Sequence, residues 1–160
     1  MARNHTLVLG IGNTLLSDEG AGVHALEYLR SRHPEIPGVH YLDGGTLSFT
    51  LAGEIEDVDN LIVIDAAQLQ AAPGTVRCMT GNEMDRFLGQ GKCSVHEVGL
   101  LDLMDIARLM DALPRRRALI AIQPEMFCWG EAPSPPVSRA FPEVVTQALN
   151  LIERWAVGCG

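Results

Sequence analysis

The stretch from Leu7 to Gly22, Leu7-Val-Leu-Gly10-Ile-Gly12-Asn13-Thr-Leu-Leu-Ser-Asp18-Glu19-Gly20-Ala-Gly22, constrains the fold more than any other part of the chain. The apolar run Thr6–Ile11 reads as a buried strand. It turns on glycine and leads into a helix over residues 19–32, with Val23, Leu26 and Leu29 on one side. Two adjacent carboxylates, Asp18 and Glu19, stand at the mouth of that helix. A helix N-terminus favours negative charge, but two acids just past a core strand exceed what capping requires. A positive partner is expected to meet them, and a metal ion is the natural candidate.

The same alternation continues along the chain. Residues 39–43 form a short strand ending in Asp43-Gly44-Gly45. Leu47, Leu51 and Ile55 follow at helical spacing, and residues 61–65, Leu-Ile-Val-Ile-Asp, give the clearest strand of all. Pro73-Gly74 is a turn before an edge strand at 75–79. Residues 81–95 read as a loop with a helical turn, and 97–113 as a helix stopped by Pro114. Residues 118–122 are the last core strand, and 123–138, with four prolines, a long loop. Pro142 suits the first turn of a final helix reaching to about Trp155. The expectation is a single α/β domain over residues 1–160, a three-layer sandwich whose mostly parallel twisted sheet carries helices on both faces.

A chain of 160 residues suffices for one core. Its net charge of −8 leaves no basic face for nucleic acid. The one basic run, Arg115-Arg116-Arg117, reads as a solvated turn. No apolar stretch is long enough to span a membrane, and the N-terminus lacks a signal-peptide pattern, so a cytoplasmic location is expected. The four cysteines, Cys78, Cys93, Cys128 and Cys159, form no CxxC pair and should be free thiols there.

Open sheets of this kind bind ligands beyond the carboxyl ends of their strands. Gly10, Asn13, Asp43 and Asp65 all fall at strand ends and should share one rim. His96 lies where a helix begins, in Ser94-Val95-His96-Glu97-Val98-Gly99. Singly these residues have plainer readings, since Asp18 or Glu19 can cap a helix, Asp65 a turn, and His96 can be a helix-start histidine. Together, carboxylates and one imidazole suit zinc, nickel, iron or manganese, and composition does not choose among them. Familiar motifs fail. His96-Glu97 lacks the second histidine of HExxH, and no G-x-S-x-G elbow is present. Gly10-Ile-Gly12 lacks the third glycine of a dinucleotide fingerprint, with Leu15 in its place, so a nucleotide-binding module is a distant reading.

The segment Gly10-Ile-Gly12-Asn13 through Asp18-Glu19-Gly20-Ala-Gly22 resembles the opening motif of the [NiFe]-hydrogenase maturation endopeptidases. Asp43-Gly44-Gly45-Thr46, Ile62-Val-Ile-Asp65-Ala66 and Ser94-Val-His96-Glu-Val-Gly99-Leu100 are similar to their next three blocks, in family order. Ile122-Gln-Pro124 and Ser134-Pro135-Pro136-Val137 resemble their C-terminal part.

The resemblance implies a protease that removes a C-terminal extension from the nickel-loaded large-subunit precursor of a hydrogenase. It implies Glu19, Asp65 and His96 as metal ligands. Nickel is then supplied by the substrate, and another divalent metal such as zinc or cadmium could occupy the site in vitro. Asp43 falls in a block associated with substrate recognition or cleavage, together with Gly44. Asp18 and Asp43 are the candidate general bases. Phe127 and Trp129, aromatic residues in the proline-rich loop, are candidates for substrate docking as well as for packing over the sheet edge. The expected partner is the large-subunit precursor, met by a monomer, with no nucleic acid and no membrane. A non-catalytic nickel-binding checkpoint or chaperone is the alternative.

Overall fold

The computed structural model describes residues 5–47, 49–92 and 99–157. Its elements are β1 (Thr6–Ile11), α1 (Ala21–Arg32), β2 (Val39–Gly45), α2 (Leu51–Glu56), β3 (Asn60–Ala66), β4 (Val76–Thr80), α3 (Asn82–Leu88), α4 (Leu100–Leu109), β5 (Arg116–Ile122) and α5 (Pro135–Val157). The turn Ser17–Gly20, between β1 and α1, is one 3-10 turn.

The strands lie in the order β2-β1-β3-β5-β4. All neighbouring pairs are parallel except β4 with β5, which is antiparallel. Every residue of β1 and β3 is buried, as covering both faces of a parallel sheet demands. Successive side chains point to opposite faces and so feed two cores. Leu9, Leu61, Val63 and Leu119 pack with Ile55 of α2, Met84 of α3 and Leu103 of α4. Val8, Ile62, Ile64 and Ile120 pack with Leu26 and Leu29 of α1 and Val144 and Ala148 of α5. The result is the three-layer α/β sandwich expected, with β4 at an edge.

Four local expectations are corrected. The final helix starts at Pro135 rather than Pro142. Pro135 and Pro136 occupy its first turn, where no backbone N–H is needed. Pro142 sits inside the helix on an exposed side, where water can serve the carbonyl that it leaves without a donor. Residues 82–88 form a true helix, α3, in place of a single turn in a loop.

The helix α4 ends at Leu109, before Pro114 is reached. Asp111 takes a left-handed conformation (φ 54°), with its N–H on the Arg108 carbonyl and the Ala112 N–H on the Ala107 carbonyl. That pattern closes a helix end, usually on glycine. The expected start of this helix at Glu97 lies outside the described residues. Finally, only Arg115 of the arginine run is exposed. Arg116 and Arg117 open β5; Arg117 grips the carboxylate of Asp85 with Nε and Nη2, and Arg116 Nη1 donates to the Trp155 carbonyl near the end of α5. A carboxylate and a helix C-terminal carbonyl thus take up charge that was expected to face water.

Candidate functional site

The chain reverses its direction of travel across the sheet between β1 and β3. From β1 it crosses to β2 by way of α1 on one face, then returns past β1 to β3 by way of α2 on the other. Such a reversal opens a crevice at the carboxyl ends of the two strands. The register puts the expected residues there. Gly10 lies opposite Asp43 on one side and Ile64 on the other, and Asp65 follows one step beyond, opposite Ala121.

Two glycines bring Glu19 to this crevice. Gly12 has φ +138°, and a β-carbon there would strike the Glu19 carbonyl. A β-carbon on Gly22 would strike the carbonyls of Ile64 and Ile11. The start of α1 therefore lies flat on the ends of β1 and β3, and the Ser17–Gly20 turn packs against β3. Glu19 is partly buried, while Asp65 has no exposed surface. Both take part in polar interactions within the protein. A wholly buried carboxylate at the end of an apolar strand is retained only when it is partnered. His96, the third expected ligand, lies outside the described residues. Carboxylates from two elements at one crevice are donors suited to a divalent transition metal.

Asp43 stands on the same rim but in water. The pairing of β1 with β2 slips between Gly10 and Ile11, so that Ile11 faces Gly45 and Gly44 becomes the extra residue of a bulge. Gly44 fits because Leu9 and Ile11 press on it; an added β-carbon would lie 2.8 Å from a methyl of Leu9. The bulge turns the strand end, and Asp43 Oδ1 accepts from the Gly45 N–H at 2.8 Å. Its other oxygen has no hydrogen-bond partner among the described residues, and the side chain is exposed.

Asp18 behaves differently. It has no exposed surface. Its Oδ1 accepts from the Ser134 N–H at 2.7 Å. Its Oδ2 accepts from the Glu125 N–H at 2.7 Å, the Met126 N–H at 3.1 Å and the Ser134 hydroxyl at 2.8 Å. A carboxylate so enclosed presents no free lone pair to a substrate, which does not fit the expected role of general base. The segment that it holds carries Phe127 and Trp129, 59% and 81% exposed, so neither packs over the sheet edge.

The family profile HycI, hydrogenase maturation protease, matches residues 23–152. The chain belongs to the hydrogenase maturation protease family. It is 36% identical over 155 residues to the hydrogenase expression/formation protein HupD of Bradyrhizobium diazoefficiens, a match covering 96% of this chain and 81% of that one. It is 38% identical over 120 residues to the hydrogenase 2 maturation protease of Escherichia coli, covering 74% and 73%. Among solved structures, the hydrogenase maturating endopeptidase HybD from E. coli matches with a TM-score of 0.86 at 32% identity, over 94% of this chain and 93% of that one. The [NiFe] hydrogenase maturation protease HybD from Thermococcus kodakarensis matches with 0.77 at 28% identity, over 92% and 99%.

In this maturation protease, sequence reasoning missed several residues around the crevice. Leu15 and Met126, 50% and 44% exposed, join Phe127 and Trp129 on the proline-rich segment and the turn that it touches. Ser134 was noted only as part of the block Ser134-Pro135-Pro136-Val137, and nothing in the sequence signals that it is a buried partner of Asp18. His24 on α1 is partly buried, and burial pushes its imidazole toward the neutral form against the opposing influence of the Glu131 backbone. Its Nε2 is buried and has no hydrogen-bond partner among the described residues.

Proposed function

We propose that this protease removes a C-terminal extension from the nickel-loaded large-subunit precursor of a [NiFe] hydrogenase. The nickel already carried by the precursor is the recognition element. Glu19, Asp65 and His96 hold it, and three protein ligands leave further positions for the ligands that the precursor itself supplies. The reading rests chiefly on one observation: the turn bearing Glu19 packs on the end of β3, where Asp65 sits. The names of the relatives support the same process. Asp43, exposed on the same rim with one oxygen free among the described residues, is the group placed to accept a proton from attacking water, and with Gly44 it meets the cleavage segment. Phe127 and Trp129 give the apolar surface on which the precursor docks.

The isolated protein acts as a monomer in the cytoplasm, where the free thiols of Cys78 and Cys128 stay reduced. Among the described residues no helix is long and apolar enough to cross a membrane. Zinc or cadmium binds the three ligands when no precursor is present.

The test is the intact mass of the precursor after incubation with the protein, with and without nickel loaded. Loss of a C-terminal peptide from the loaded form alone supports the reading. Cleavage of both forms removes nickel as the recognition element. Cleavage of neither, with nickel-dependent capture retained, gives the binding-only checkpoint instead.

A further inference from the structure

The donors to Asp18 come from both ends of one segment. Glu125 and Met126 give their N–H groups at its start, and Ser134 gives its N–H and hydroxyl at its end. One side chain therefore closes residues 125–134 into a loop. The middle of the loop is held by the residues just before Asp18. The Ser17 N–H donates to the Gly130 carbonyl at 2.8 Å, the Gly130 N–H to the Leu15 carbonyl at 2.9 Å, and the Ser17 hydroxyl to the Cys128 carbonyl at 2.8 Å. The Asp18 N–H itself donates to the Met126 carbonyl at 3.3 Å.

With so much loop backbone turned toward residues 15–18, the side chains of Met126, Phe127 and Trp129 are left outside, as is Leu15. An apolar tip of this size on a loop fixed by backbone bonds is pre-organised for a partner, since little ordering remains to be done on binding. The next residue after Asp18 is Glu19. The loop and the nickel ligand thus share one anchor, and their separation is set by a charged group with four neutral donors.

We infer that Asp18 is a positioning residue. It holds the apolar loop in register with Glu19, so that the precursor is gripped by its folded surface while its metal centre reaches the crevice. Asp18 governs capture of the precursor and takes no part in breaking the peptide bond. This rests on the function proposed above and assigns to Asp18 a task distinct from those of Glu19 and Asp43.

The experiment is steady-state processing of nickel-loaded precursor by the full-length protein and by Asp18→Asn, Ser134→Ala, the pair Phe127→Ala with Trp129→Ala, and that pair combined with Asp18→Asn. Asp18→Asn keeps the shape but turns an amide N–H toward backbone donors. It is expected to raise KM about tenfold, the effect of losing one good anchor, and to leave kcat within about twofold. Ser134→Ala, which removes one donor of the four, moves KM the same way by less. If Asp18 acts through the loop, adding Asp18→Asn to the aromatic pair changes little further. A fall in kcat at unchanged KM overturns the inference, because Asp18 then acts on the reacting atoms. Fully additive losses overturn it as well, because Asp18 then acts elsewhere than through the loop. Should Asp18→Asn fail to fold, Ser134→Ala and its combination with the aromatic pair give the same two comparisons. If the unmutated protein cuts nothing, the functional reading falls; if it cuts and the split is absent, only the assignment of Asp18 falls.

Discussion

Gly22 lies so close to the Ile64 carbonyl that no side chain fits between them. This contact seats the first turn of α1 on the end of β3, one residue before Asp65. Gly22→Ala must push helix and strand apart, at a cost of about 1–3 kcal/mol. A urea melt should show a lower midpoint with an unchanged slope. Nickel-dependent processing should fall too, since Glu19 moves with the helix start. A Gly22→Ala protein as stable and as active as the parent would contradict the close seating.

The three proposed ligands should fail together. Glu19→Gln, Asp65→Asn and His96→Ala are each expected to reduce processing by more than the roughly 10–100-fold lost when a residue that merely hydrogen-bonds to a metal ligand is changed. Glu19→Gln should melt close to the parent, because its side chain is only partly buried. Titration calorimetry with zinc reads the same site without any precursor. Any one of the three variants that still binds zinc as tightly as the parent is no ligand.

The pair Asp85 and Arg117 should make stability depend on acid. The hydrogen bonds from Arg117 hold the Asp85 carboxyl below its usual range; partial burial opposes this, and the charges of Arg117 and Arg108 add to it. In the window between the lowered folded value and the ordinary aspartate value of about 3.9, the unfolded chain binds more protons. The contribution is therefore whole above about pH 4 and fades as pH falls through the folded value. With the Asp85 side chain 24% exposed, Asp85→Asn should cost about 1 kcal/mol at neutral pH. Thermal melts of the two proteins at neutral pH and at successively lower pH should converge. A gap that persists in strong acid would mean that the loss is one of packing rather than charge.

Pro142 offers a stabilising change. It lies inside α5 with its ring exposed, and it denies a donor to the carbonyl of Ser138 one turn earlier. Pro142→Ala restores that bond. Against about 3 kcal/mol of helix-interior penalty stands roughly 1 kcal/mol gained by the freer unfolded chain. The expected net gain is about 1–2 kcal/mol, read as a rise in Tm with processing unchanged. No rise would show that α5 has adapted to the proline.

Much of the architecture was legible because hydrophobic period and burial are the same fact seen twice. Residues 61–64 are apolar without a break because β3 is covered on both sides, and Leu26 and Leu29 recur at helical spacing because α1 has one buried face. The rim was legible as well, since Asp43 and Asp65 each lie within two residues of the carboxyl end of a strand, and the parallel strands β1, β2 and β3 end on one side. The arginine run and the start of α5 were misread for a common reason. Local pattern treats Arg117 as solvated and Pro142 as a helix opener, but Asp85 lies 32 positions from Arg117 in the chain, and the helix is set by a face that packs on β5.

Residue type and order sufficed to place Asp43 and Asp65 at strand ends and Asp18 and Glu19 just before a helix, because those positions follow from short-range geometry. The division of labour among the acids came from contacts between distant segments. Asp18 and Glu19 are neighbours with the same charge and the same local setting. Only the return of residues 125–134 onto the Ser17–Gly20 turn encloses one carboxylate in four hydrogen bonds and leaves the other outside that enclosure, partly buried at the strand ends. A hydrogen bond needs both partners within about 3 Å, and that proximity is a property of the folded chain.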